Sequence, residues 1–163
     1  MEKGIQLIHD LDPIFDENSK ILILGTFPSV KSREQKFFYG HPQNRFWKVL
    51  ASVLEKDVAV TIDEKKSFLL KNKIAVWDVI ESCQITGSSD SSIKDVVPAD
   101  ISKIMNASKI ERIFANGGTA KKLYEKYQHK VLGVEIEGLP STSPANAAYS
   151  LERLVSEWSV LKK

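Results

Sequence analysis

The run Lys20-Ile21-Leu22-Ile23-Leu24-Gly25 leaves little choice of fold. Successive side chains of a strand point to opposite faces, so an unbroken aliphatic run needs apolar cover on both sides, as inside a parallel sheet. Shorter apolar runs recur at Ile74-Ala75-Val76-Trp77-Asp78, Arg112-Ile113-Phe114-Ala115 and 131–136. Between them lie segments with helical spacing. Phe46, Val49, Leu50, Val53 and Leu54 follow Asn44; 63–72 carries Phe68 and Leu69; Pro98 opens a helix reaching about Ala107; Ala120 to Tyr127 and 146–161 are two more. Strands alternating with helices predict a three-layer α/β/α sandwich around a central four-stranded parallel sheet. Ligands of such sheets sit at the carboxyl ends of the strands, here the segments 25–44, 78–92, 116–119 and 137–146.

The chain has 163 residues, 42% of them apolar and 27% charged, which fits a single domain spanning 1–163. With one cysteine, Cys83, no intramolecular disulfide framework or four-cysteine metal site can form, and a reducing cytoplasm is the expected compartment. No apolar run approaches the ~20 residues that span a bilayer, so no membrane association is expected. A net charge of +2 neither announces nor excludes a nucleic-acid partner. His and Cys show no zinc-ligand spacing, and Gly25-Thr26-Phe27-Pro28-Ser29 lacks the lysine of a triphosphate loop. Neither metal nor cofactor is expected.

Two loops stand out. The first, 25–44, runs about eighteen residues, beyond the ~12–15 usual for an unstructured loop in a compact domain. Its Phe37, Phe38 and Tyr39 among Lys31, Arg33 and Lys36 read either as a base-stacking platform beside phosphate-neutralising charge or as aromatic anchors pinning the loop. The second, Leu139-Pro140-Ser141-Thr142-Ser143-Pro144-Ala145-Asn146, combines hydroxyls with a predicted helix start, an arrangement suited to an anion; plain N-capping by Ser143 or Asn146 is the simpler alternative. Asn116 begins an Asn-Gly-Gly-Thr turn at a strand end, and Asp78 ends another strand. His9 and His129 fall outside the predicted crevice.

The pairing of Gly25-Thr26-Phe27-Pro28-Ser29 with Leu139-Pro140-Ser141-Thr142-Ser143-Pro144-Ala145-Asn146 resembles the two active-site motifs of the uracil-DNA glycosylase superfamily. His41-Pro42-Gln43-Asn44-Arg45-Phe46-Trp47-Lys48-Val49 is similar to the mismatch-specific uracil glycosylase branch. The two motif loops together, with Trp77-Asp78-Val79-Ile80-Glu81-Ser82-Cys83 and Gly87-Ser88-Ser89-Asp90, most resemble the hypoxanthine-DNA glycosylase branch. The resemblance runs in order from Leu22 to about Ala147.

It implies an enzyme that flips a deaminated base, hypoxanthine before uracil, out of DNA and hydrolyses its N-glycosidic bond without a cofactor. By motif position Tyr39 stacks on the flipped base, with Phe38 beside it. Phe27 replaces the water-activating Asp or Asn of other branches, which moves the catalytic assignment to Asn44, positioning water and stabilising charge at the sugar, with Asn116 second. Asn44 also precedes a helix that it can cap, and the roles are compatible. Phe27, His41 and Asp78 are candidate contacts to the base. Ser29, Lys31, Ser141, Thr142 and Ser143 are candidate phosphate contacts, and Lys121, Lys122 and Lys126 form a basic helical face. The expected partner is DNA containing deaminated bases, met by a monomer. The rival readings are a mismatch-directed uracil glycosylase of the same fold and a non-catalytic nucleic-acid or nucleotide-binding module.

Overall fold

The computed structural model describes residues 5–9, 11–27, 32, 34, 37–85 and 93–162. In chain order these form β1 (Ile5–Ile8), β2 (Ile21–Gly25), α1 (Phe46–Leu54), α2 (Ile62–Lys71), β3 (Ile74–Asp78), β4 (Ile80–Ile85), β5 (Lys94–Pro98), α3 (Ser102–Asn106), β6 (Arg112–Asn116), α4 (Gly118–Tyr127), α5 (His129–Leu132), β7 (Ile136–Leu139) and α6 (Leu151–Trp158). A turn of 3-10 helix, Ser159–Lys162, follows α6.

Four strands in the order β3-β2-β6-β7 make the predicted parallel sheet, flanked by helices as an α/β/α sandwich. Leu22, Ile23 and Leu24 are completely buried, as a two-faced aliphatic strand requires. Each contributes roughly 1.5–3 kcal/mol by leaving water. Among the described residues no helix is long and apolar enough to cross a membrane.

The fourth strand lies later than predicted. Residues 129–132 are helical, Gly133 turns the chain at φ +67°, and pairing with β6 begins at Ile136. Val131 is left 74% exposed, so its β-branched neighbourhood had no sheet to enter. The helix predicted from Pro98 begins at Ser102, because Lys94–Pro98 pairs with β4 as a strand. The closing helix begins at Leu151, where Ser150 Oγ accepts the Arg153 N–H, and not at Asn146.

A second, antiparallel sheet, β1-β4-β5, was not predicted. Only Val79 separates β3 from β4, and its N–H donates to Gly25 O at 2.9 Å, stapling the exit of β3 to the end of β2. Pairing of Ile8 with Ser82, continued by the 2.7 Å bond from His9 N to Glu81 O, carries the chain from β1 to the carboxyl ends of the parallel strands. It then runs along β3, where Ile14 and Val76 exchange backbone hydrogen bonds of 3.0 and 2.9 Å.

Candidate active site

Parallel register sets the floor of the site. Gly25 lies opposite Asp78, Leu24 opposite Ala115, and Asn116 opposite Leu139, so Asp78, Gly25 and Asn116 end three adjacent strands side by side. Gly25 is required by close approach: a Cβ there would lie 2.5 Å from Asp78 Oδ1 and 3.1 Å from Tyr39 Oη. Strand ends that elsewhere would be filled by side chains here hold a carboxylate and a phenol against bare backbone.

Tyr39 is held at φ +52°, a left-handed conformation that costs a non-glycine residue about 1 kcal/mol or more. Its ring stacks on Phe46, centroids 3.9 Å apart and planes at 20°. Its hydroxyl is buried with no hydrogen-bond partner among the described residues. Burial, reinforced by the Asp78 carboxylate and partly offset by the Asn116 side chain, pushes the phenol well above its usual range, so it stays a neutral donor. An unpaired buried hydroxyl is worth about 1–3 kcal/mol of lost solvation, and such groups call for an explanation.

Phe37 and Phe38 are not an open stacking platform. Both are buried, Phe37 stacking on Trp47 and Phe38 packing against Phe37 and His9, so they anchor the loop, and the expected contact between Phe38 and the base has no exposed ring to make it. Buried Ser32 adds a further pin by accepting the Gly40 N–H. Phe27 is half-buried with its ring edge-on to His9. His41 Nδ1 accepts the Gln43 N–H at 3.1 Å, bracing the turn into Asn44.

Asn44, Thr142 and Asn116, from three separate segments, form one hydrogen-bonded chain, and two backbone N–H groups fix its direction. Phe46 N–H donates to Asn44 at 2.9 Å, so the atom facing it is Oδ1. Thr142 N–H donates to Asn116 at 3.0 Å, so that atom is also Oδ1. Asn116 Nδ2 then donates to Thr142 Oγ1 at 3.0 Å, and Thr142 Oγ1 donates to Asn44 Oδ1 at 2.9 Å. Asn44 Oδ1 is thus occupied by two donors, while its Nδ2 has no partner among the described residues. What Asn44 presents is an N–H donor; its oxygen is turned inward, away from the charge-stabilising task at the sugar expected of it. Asn116 uses both ends of its amide to hold Thr142, which makes it a brace.

Thr142 is completely buried, and both its N–H and its hydroxyl serve this network, so it is not available to a phosphate as predicted. Ser141 and Ser143 differ. Ser141 Oγ accepts the Ser143 N–H and Ser143 Oγ accepts the Ala145 N–H, each at 3.1 Å, and each hydroxyl keeps its own hydrogen to donate. Both line an open cleft of about 440 Å³ with Gly118, the first residue of α4. An anion there meets two hydroxyls and a helix start. Lys121 pairs with Glu125 at 2.9 Å. Ser29 and Lys31 lie outside the described residues, as do Arg33, Lys36 and the 87–90 segment.

Two residues that touch the site escaped the sequence reading. Arg45 donates to the carbonyls of Ser143 (3.2 Å), Asn146 (3.0 Å) and Tyr149, tying the serine loop to the start of α1. His9, placed outside the crevice by its position in sequence, bonds Asp78 at 2.7 Å. The signal for Arg45 was its place beside Asn44 in the motif; for His9 no local signal existed, since it arrives through the unpredicted β1 pairing.

A parallel sheet whose strand ends gather two distant loops around a carboxylate, a buried phenol and an amide donor fits a nucleobase-handling site. The chain belongs to the uracil DNA glycosylase superfamily, whose family model matches residues 13–162. More particularly, it is similar to a hypoxanthine DNA glycosylase of Methanosarcina acetivorans, 37% identical over 150 residues covering 91% of this chain and 93% of that one. One of the same name from Methanosarcina barkeri is 32% identical over 148 residues, 90% of this chain and 92% of that one. A solution NMR structure from M. acetivorans, described provisionally as a uracil DNA glycosylase, superposes with TM-score 0.78 at 31% identity, covering 94% of this chain and 97% of that one.

Proposed function

We propose that this chain excises hypoxanthine from deoxyinosine in DNA, flipping the nucleotide into the site and hydrolysing its N-glycosidic bond to leave an abasic site. The observation that supports the reading is the pair Tyr39 Oη and Asp78 Oδ1, both without a partner among the described residues and both against Gly25, at the strand ends where the Asn116–Thr142–Asn44 chain of hydrogen bonds also starts. Flipping is needed because the bond is sequestered in stacked duplex, and a weak inosine pair is cheaper to open than a normal one.

In this reading the face of Tyr39 not covered by Phe46 stacks on the purine. Asp78 Oδ1 accepts the N1–H of hypoxanthine. Ser141 and Ser143, aided by Ser29 and Lys31 of the preceding loop, hold backbone phosphates and keep the nucleotide extruded. Cleavage proceeds with positive charge growing on the sugar and negative charge on the departing base. A donor favours negative charge, so Asn44 Nδ2 serves the leaving purine, and water captures an electrophile strong enough to need little proton abstraction. The reading has the chain act as a monomer in the cytoplasm, with neither metal nor cofactor.

The test is base release from duplexes carrying inosine or uracil opposite each normal base. Hypoxanthine release with an alkali-labile abasic product is expected. Preferential uracil release would transfer the chain to mismatch-directed uracil repair, and tight lesion binding with no abasic product at high enzyme would make it a binding module.

A further inference from the structure

His9 and Asp78 form an almost sealed pair, their side chains 2% and 5% exposed and Nε2 2.7 Å from Oδ2. The position of the proton follows from a backbone group. Leu11 N–H donates to His9 Nδ1 at 3.2 Å, so that nitrogen carries a lone pair, and Nε2 carries the hydrogen given to Asp78. Phe27 and Trp77 pack edge-on to the imidazole with centroids 5.7 and 5.9 Å away, and Phe38 lies tilted at 6.0 Å, leaving the ring no room to turn. On the other side of the carboxylate, Oδ1 sits over Gly25 beside the buried Tyr39 hydroxyl, with no partner among the described residues. One oxygen of Asp78 is committed and the other is presented.

We propose that His9 is a positioning residue that locks Asp78 as a hydrogen-bond acceptor, and that the pair is the device by which the site takes hypoxanthine and refuses adenine. The proposal rests on the reading that the flipped purine offers its N1 edge to Asp78. Hypoxanthine carries a hydrogen on N1; adenine carries a lone pair there. A carboxylate oxygen therefore bonds the first and repels the second, and buried polar mismatches of this kind support discrimination of roughly 10⁴-fold or more. Adenine is the base whose deamination yields hypoxanthine, so it is the look-alike an excision enzyme must leave alone. Guanine shares the N1–H, and this device does not bear on it.

The lock has a consequence that a merely structural role for His9 lacks. In Asp78→Asn the His9 Nε2–H still demands an acceptor, so the amide oxygen turns to His9 and the NH₂ faces the base, donor against donor for hypoxanthine. Removing the histidine donor in His9→Phe/Asp78→Asn frees the amide to turn and offer its oxygen to N1–H. Single-turnover hypoxanthine release should fall by roughly 10²-fold or more in Asp78→Asn and recover at least about tenfold in the double variant. His9→Gln, which keeps an N–H within reach of Asp78, should retain more activity than His9→Phe. Affinities for duplexes carrying cleavage-resistant 2′-fluoro-2′-deoxyinosine or 2′-fluoro-2′-deoxyadenosine should follow the same order, with Asp78→Asn shifted toward the adenine duplex. Equal rates for the double variant and Asp78→Asn, both melting cooperatively, would overturn the proposal, as would His9→Gln matching His9→Phe. A ¹H–¹⁵N spectrum of the wild-type histidine ring needs no variant: hydrogen on Nε2 and none on Nδ1 is expected, and the reverse tautomer refutes the lock. A wild type that releases no hypoxanthine defeats the functional reading itself, whereas an active wild type without rescue defeats only the role of His9.

Discussion

Asn44→Asp separates the two jobs of one side chain, the hydrogen bonds its oxygen makes within the fold and the donation to the leaving purine proposed for its nitrogen. Asn44 Oδ1 receives the Phe46 N–H and the Thr142 hydroxyl, and a carboxylate oxygen can receive both, with a negative charge at the start of α1 that the helix dipole favours. Folding should therefore change by about 1 kcal/mol at most. The second carboxylate oxygen, however, replaces the Nδ2 donor with an acceptor facing the departing purine. Losing one such donor lowers rates by about 10²–10³-fold, or roughly 3–4 kcal/mol of transition-state stabilisation. Asn44→Ala removes the acceptor of the Phe46 N–H at the start of α1 and of the buried Thr142 hydroxyl, which keeps only the bond it receives from Asn116; the two losses should cost about 2–4 kcal/mol together and lower Tm by roughly 4–16 °C at this chain length. The assay is single-turnover release of hypoxanthine beside a thermal melt. The expected result is that Asn44→Asp melts like wild type and reacts at least about a hundredfold more slowly, on the order set by donor loss. Near-normal rates in Asn44→Asp would show that the residue works through its oxygen, and the polarity argument would fail.

Gly25→Ala would drive a Cβ to within 2.5 Å of Asp78 Oδ1, so the carboxylate must move; excision should be lost while a circular dichroism spectrum stays native. Tyr39→Phe removes a buried hydroxyl that has no partner among the described residues, so the chain should melt no lower, by about 1 kcal/mol if anything higher, yet excise more slowly. Because burial raises the Tyr39 phenol and raises Tyr124 to about 12, both above the unfolded value of 10.0, the unfolded chain loses these protons first. Stability should hold below pH 10 and decline as pH rises above it, less steeply in Tyr39→Phe, as denaturant titrations across that range would reveal. Arg45→Ala deprives three carbonyls of their donor and should expose the 143–149 segment to proteolysis and raise KM for duplex substrate.

The parallel sheet was legible because its strands are buried on both faces, and Ile21–Gly25, Ile74–Asp78 and Arg112–Asn116 lie within a residue of their predicted places. β7 was not, since 131–136 holds β-branched residues that periodicity cannot divide between a helical turn and a strand, and Gly133 settles the matter through a turn. The start of α6 was misjudged for a tertiary reason. Arg45 takes the carbonyls of Ser143, Asn146 and Tyr149, which a helix over those residues would need for itself. The antiparallel sheet carries polar residues such as Gln84 and Lys94 in its pairing, with no strong alternation to announce it. Of the candidate site, Asn44, Asp78, Asn116, Tyr39 and Ser141 do converge on the strand ends. The inward use of Thr142 and Phe38 and the arrival of His9 depend on packing between segments as far as 98 positions apart.

The most direct measurement is a crystal structure of the chain on a duplex holding 2′-fluoro-2′-deoxyinosine. The account predicts the purine extruded over Tyr39, its N1 within hydrogen-bonding distance of Asp78 Oδ1 and an acceptor atom facing Asn44 Nδ2. An inosine left stacked in the duplex, or extruded against a different face, would contradict it.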